Sequence, residues 1–157
     1  MKQIPESLLN TFRKYDTPTI VNSLELLDSK FRTSCFTTEQ MICVDTSLLP
    51  IVGYARTATI SASSEVDQNT KRARSLAYYE YVSSGTAPFI SVIQDVDERP
   101  GFGSFWGEVN SNIHNALGVI GVVTNGSVRD LDVLSAGFQV LAGKIGLAHA
   151  YVRIEET

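Results

Sequence analysis

Between residues 87 and 124 the chain reads strand, loop, helix, strand: "APFISVIQDV", "DERPGFGSFWG", "EVNSNIHNALG" and "VIGVVT". Two short apolar strands separated by a helical segment predict a parallel pairing, because only a crossover returns the chain to the same edge. The pattern continues on both sides. "IVGYARTATIS" alternates as a strand does, with Ala55, Thr57 and Thr59 on one side. "DQNTKRARSLAYYEYVSSG" reads as a helix closed by Gly85 as its C′ glycine. "SVRDLDVLSAG" reads as a short helix, "FQVLAG" as another strand, and "AYVRI" as a last alternating one. Near the start, "TPTIVNSLELLD" fits a helix that Thr17 can cap, with Pro18 in the first turn and Ile20, Val21, Leu24 and Leu27 on one face. The fold class expected is α/β, one domain over residues 1–157, with at least part of the sheet parallel.

In such sheets ligands gather beyond the C-terminal ends of the strands. Two strand-to-helix loops lead there, "VIQDVDERPGFGSFWGE" and "VVTNGSVRD", and they share one rim if their strands are neighbours. The glycines of "GFGSFWG" precede a helix whose free N–H groups can hold an anion. The dinucleotide fingerprint fails, since Ser104, Phe105 and Trp106 stand where two residues belong, and there is no Gly-Lys-Ser/Thr. What remains is a carboxylate or enolate site at the start of the 107–118 helix. No Gly-x-Ser-x-Gly elbow supports a serine hydrolase.

Each charged residue of these loops also has a plain structural reading. Glu108 favours the helix dipole, Ser127 to Asp130 fits a capping box, and Asn125-Gly126 is a turn signal. Together they assemble a toolkit. Glu108 and Asp130 supply hard oxygen ligands suited to Mg²⁺ or Mn²⁺, Arg129 supplies a bidentate clamp for a carboxylate, and the helix start supplies amides. Val109, Ile113, Ala116 and Leu117 are assigned the buried face of that helix, and His114 its solvated side. The Tyr78-Tyr79-Glu80-Tyr81 cluster reads as core and subunit contact.

Composition trims the partners. Thirteen Lys and Arg against seventeen Asp and Glu leave a charge of −4, which argues against a phosphate-backbone ligand. The apolar runs are too short for a membrane span and the first residues lack a signal-peptide core. Cys35 and Cys43, with seven residues between them, match neither a zinc nor a redox spacing and are expected to be reduced thiols of a cytoplasmic protein.

"FWGEVNSNIHNALGVIGVVTNGSVRDLD", "GFQVLAG" and "HAYV", with "YDTPTIVNSLELL" and "GYARTATI", resemble the RraA-like family. That family includes the regulator of ribonuclease E activity A and 4-hydroxy-4-methyl-2-oxoglutarate aldolase, and many members carry a menaquinone methyltransferase label. The resemblance implies a swivelling-domain-like α/β sandwich with a mixed sheet, assembled as trimers or hexamers with sites between subunits. In the aldolase branch an acidic residue, twenty residues and Arg-Asp form the signature, matched here by Glu108 and Arg129-Asp130. By that match Asp130 resembles the residue nearest a divalent metal, and Glu108 an acid reaching metal-bound water. Arg129 resembles the residue holding the pyruvyl carboxylate and enolate oxygen, while Gly107 and the amides of Val109 and Asn110 fall at the substrate-binding positions. Glu108 departs from the aldolase Asp, and "TNG" stands where "DG" is common. The activity implied is a metal-dependent lyase on a 2-oxo acid; the alternative is a non-catalytic regulator working by protein contact. Family members usually run several dozen residues past "HAYV", so this chain is expected to self-associate.

Overall fold

The computed structural model describes residues 3–157, and in it a seven-stranded sheet organises the chain. Helices α1 (Glu6–Phe12) and α2 (Thr17–Leu27) open the described fold. The strands are β1 (Ile42–Cys43), β2 (Tyr54–Ser61), β3 (Phe89–Asp95), β4 (Ser104–Trp106), β5 (Val119–Val128), β6 (Gln139–Ile145) and β7 (Arg153–Glu156). Helix α3 (Gln68–Ser83) joins β2 to β3, and α4 (Glu108–Ala116) joins β4 to β5. The sheet order is β1-β6-β5-β3-β2-β7, with β4 added along β5. The pairs β2–β3, β3–β5, β5–β6 and β4–β5 are parallel, and β1–β6 and β2–β7 are antiparallel. The sheet is therefore mixed, as expected. Because β3 and β5 are neighbours, their outgoing loops do share one rim.

The core lies on one face of this sheet. Phe89, Ile93, Ala58 and Ile60 meet Tyr78 and Val82 of α3, while Trp106, Phe138, Val119 and Val128 pack around α4. On the other face Thr57, Thr59, Val92, Gln94 and Val123 line an open hollow of about 520 Å³. Helix α2 contributes no fully buried side chain, and Leu27, expected on its inner face, is 81% exposed. No helix among the described residues is long and apolar enough to cross a membrane.

Several local readings are corrected. The cap of α2 is Asp16, which accepts from the Thr19 amide at 2.9 Å, because its backbone is extended while Thr17 is already helical. Gly85 does take the left-handed conformation (φ 87°) expected of it. The glycine loop contains a strand, β4, whose three residues are all buried. Asn125-Gly126 is no turn: β5 runs through it, with an irregularity in its pairing to β6 between Thr124 and Ser127. On its other edge, Asn125 uses its side chain to prolong the pairing with β3, accepting from the Asp95 amide at 2.7 Å and donating to the Asp95 carbonyl at 2.9 Å. Ser127 therefore lies in a strand, bonded to Ser104 at 2.8 Å, and caps nothing. The helix expected after it shrinks to a 3-10 turn, Leu131–Val133.

Helix α4 is rotated from the expected face. Ser111 and His114 are buried, while Val109 is 66% exposed and Ala116 is also exposed. His114 finds partners inside, with Nε2 2.9 Å from the Tyr78 hydroxyl and Nδ1 2.7 Å from the Asn110 carbonyl. Two satisfied ring nitrogens and an aromatic wall remove the cost that would have kept this histidine in water.

Candidate active site

Strand β5 ends at Val128 and the next two residues turn over the rim. The Arg129 amide donates to the Trp106 carbonyl at 3.0 Å, so the exits of β4 and β5 are tied together. Asp130 then adopts a left-handed conformation (φ 57°, ψ 43°), which Asp tolerates better than most residues. That turn points its carboxylate back at the start of α4. Oδ2 stands 3.4 Å from the Glu108 amide and 3.3 Å from Arg129 Nε.

Gly107 makes the approach possible. A Cβ there would lie 2.6 Å from Asp130 Oδ2 and 3.2 Å from Arg129 Cγ. Its φ of 179° is ordinary extended backbone, so space alone demands the glycine. The acidic side chain does not cap its own 3-10 turn. Asp130 instead serves the α4 terminus, which has no side-chain cap of its own.

Arg129, Asp130, Gly107, Val109 and Asn110 line one small cleft of about 80 Å³, with Ser104, Phe105, His149 and Val152. All the residues expected at the site meet there except the Glu108 side chain. That side chain is exposed; only its amide is engaged with Asp130. Asn110 is engaged twice through its side chain, donating to the Phe105 carbonyl at 2.5 Å and accepting from the Tyr79 hydroxyl at 3.0 Å. His149, Phe105 and Val152 escaped sequence reading because they reach the cleft from β4 and the loop before β7, with no local pattern to mark them.

Arg129 and Asp130 are about a third exposed (34% and 35%), and an ion pair so wet contributes under ~1 kcal/mol to stability. A guanidinium, a carboxylate and helix-terminal amides together can hold an anion beside a hard cation. No group of three His, Cys, Asp or Glu side chains converges among the described residues. Mg²⁺ needs no such group, since it keeps several waters and takes one or two carboxylates. Both contacts of Asp130 use Oδ2, which leaves Oδ1 as an oxygen that can take a hard cation.

Behind the cleft, Asp95 ends β3 and accepts from the amides of Asp97 (3.0 Å) and Gly101 (2.7 Å). Burial pushes its carboxyl up from the ordinary aspartate range, against the pull of those amides. Asp97 takes the hydroxyls of Ser61 (2.6 Å) and Ser63 (2.7 Å) and the Ala62 amide (2.7 Å), bonds that together hold it below that range against its own desolvation. These two aspartates shape the loop that carries β4; neither lines the cleft.

A family model described as RraA-like (Aldolase/RraA) matches residues 17–153. Among solved structures, Streptomyces coelicolor RraAS2, described as an unusual member of the RNase ES inhibitor RraA protein family, superposes with a TM-score of 0.66 at 18% identity, over 100% of this chain and 72% of that one. The RNA-processing inhibitor RraA from Thermus thermophilus gives 0.55 at 13% identity, over 85% and 74%. An uncharacterized protein from Pseudomonas syringae pv. tomato gives 0.68 at 17%, over 98% of this chain and 64% of its own. At these identities the likeness is one of fold. The chain spans between 64% and 74% of the length of these three relatives. No curated protein matches the sequence.

Proposed function

The chain belongs to the RraA-like family, and from that premise we propose that it is a divalent-metal-dependent lyase that cleaves a carbon–carbon bond of a 2-oxo acid. The reaction would be retro-aldol cleavage or decarboxylation of an oxaloacetate-like acid, with a pyruvate enolate as the shared intermediate, protonated at carbon to pyruvate. One observation carries the reading: Arg129, Asp130 and the start of α4 converge on a single cleft at the C-terminal rim.

Asp130 would hold Mg²⁺ or Mn²⁺, with Glu108 reaching it through water. When bound, such an ion supplies Lewis-acid stabilisation of charge on a carbonyl oxygen. The rest falls to this chain's own groups. Arg129 grips the substrate carboxylate through two parallel bonds and neutralises charge that builds on the adjacent oxygen. The amides of Val109 and Asn110 add donors at the positive end of α4. Glu108, exposed beside the cleft, can carry a proton between solvent and the product carbon.

The alternative is a non-catalytic regulator that works by protein contact. It draws on two fold relatives being described as ribonuclease or RNA-processing inhibitors. Pyruvate release from oxaloacetate, with and without Mg²⁺, separates the two. Metal-dependent release supports the lyase; none at any divalent ion leaves the regulator.

The same reading includes self-association into trimers or hexamers. Leu26, Leu27 and Leu147 are 88%, 81% and 95% exposed, and Val92 is 39% exposed on the open sheet face. Sedimentation at micromolar concentration tests it, and a monomer would count against a site shared between subunits.

A further inference from the structure

The first turn of α4 lacks the usual device for fixing a helix start. Its N-cap is Gly107, which has no side chain to accept from the following amides. Asn110, three residues on, reaches back instead. Its Nδ2 donates to the Phe105 carbonyl at 2.5 Å, so the side chain spans Gly107 and ties the turn to β4. A capping box uses the same position to reach back, toward the cap residue's own amide.

That bond works in one orientation of the amide only. Reversed, Asn110 would set Oδ1 against the Phe105 carbonyl, two acceptors facing each other. The Phe105 carbonyl, which can only accept, fixes the orientation and leaves Oδ1 facing α3. Tyr79 supplies the second anchor from α3: its hydroxyl gives a hydrogen bond to Asn110 Oδ1 at 3.0 Å. The ring beneath that hydroxyl is held against Tyr78 and His114, with centroids 5.6 Å and 5.8 Å away. Tyr79 therefore has little freedom to follow a loosened helix.

We propose that Tyr79 is a positioning residue for the cleft, acting through Asn110 to hold the Val109 and Asn110 amides where an anion bound by Arg129 meets them. The inference rests on the lyase reading for its purpose and on the Tyr79–Asn110–Phe105 chain for its geometry. The neighbouring tyrosine provides the comparison. Tyr78 bonds the buried ring of His114, not the Asn110 side chain, so losing its hydroxyl removes a core bond without freeing the amide.

The experiment uses Tyr79→Phe and Tyr78→Phe beside the wild type. Binding is read by isothermal titration calorimetry, because Trp106, the chain's single tryptophan, is buried and does not line the cleft. Oxalate, a planar dicarboxylate shaped like a pyruvate enolate, is titrated with Mg²⁺ present. Tyr79→Phe weakens oxalate about tenfold and raises KM for oxaloacetate more than it lowers kcat. Tyr78→Phe lowers the melting temperature while oxalate binds within about twofold of wild type. Wild-type affinity and KM in Tyr79→Phe would overturn the proposal. If the wild type binds no oxalate, the lyase reading falls and hydrogen exchange decides the clamp. The Ser111 amide, bonded to the Gly107 carbonyl at 3.0 Å, then exchanges faster in Tyr79→Phe and not in Tyr78→Phe. Equal exchange in all three proteins overturns the proposal on that route.

Discussion

Gly107 and Asp130 fit each other at the limit of contact: a Cβ on Gly107 would stand 2.6 Å from Asp130 Oδ2. Gly107→Ala therefore pushes the carboxylate out of its place without straining the backbone, which is extended there. The variant should keep its melting temperature within a few degrees and lose at least tenfold in metal-dependent oxaloacetate turnover. Full activity would mean that Asp130 works from another position.

Asp130→Asn preserves the shape and the tolerance for a left-handed backbone but removes the charge that would hold a cation. Turnover with Mg²⁺ should vanish while thermal stability changes little. Asp130→Ala is the poorer test, because alanine in that conformation adds a backbone cost of about 1 kcal/mol.

Arg129→Lys keeps a positive charge and loses the planar fork. Steady-state kinetics should show kcat/KM for oxaloacetate down by about tenfold or more. Unchanged kinetics would remove Arg129 as the carboxylate clamp.

His114 sets a pH dependence. Burial pushes its imidazole down to about 4, from an ordinary value of 6.5, against the Asn110 carbonyl that favours the charged form. A depressed histidine contributes stability that is complete above pH 6.5 and is lost as pH falls towards 4. A depression of that size corresponds to about 3 kcal/mol. Asp95, raised by burial, acts with the opposite sign, its contribution fading as pH rises above the ordinary aspartate value. Urea unfolding between pH 7.5 and 4, wild type against His114→Gln, isolates the histidine: the wild-type loss should be steeper. Parallel curves would show that His114 does not titrate on unfolding.

Asn125→Ala removes both bonds by which this side chain joins β5 to the end of β3. Each partly buried backbone partner left open costs roughly 1 kcal/mol, so denaturant unfolding should show a loss of about 2 kcal/mol. A neutral substitution would mean that water replaces the side chain.

The strand–helix alternation of residues 87–124 was legible because apolar runs and helical periodicity are local properties. The meeting of Arg129 and Asp130 with the start of α4 was legible for the same reason, as two loops of adjacent strands. What local pattern misstates is any residue whose partner lies far along the chain. Asn125-Gly126 has the chemistry of a turn, yet β4 and β6 pair with the residues after it and draw the strand onward. His114 looks polar until Tyr78, thirty-six positions away, offers it a hydroxyl in the core. Ser127 resembles a cap until Ser104 binds it from a strand hidden within a glycine loop.

The twenty residues between Glu108 and Arg129 are α4 and β5 laid end to end, a descent and a return. Such a path has a phase as well as a length. One residue added within β5 would send Arg129 and Asp130 to the opposite side of the sheet, because side chains alternate along a strand. One residue added within α4 would turn its first turn by about 100° relative to its last. Side-chain changes in this segment can be graded, but insertions and deletions act as switches.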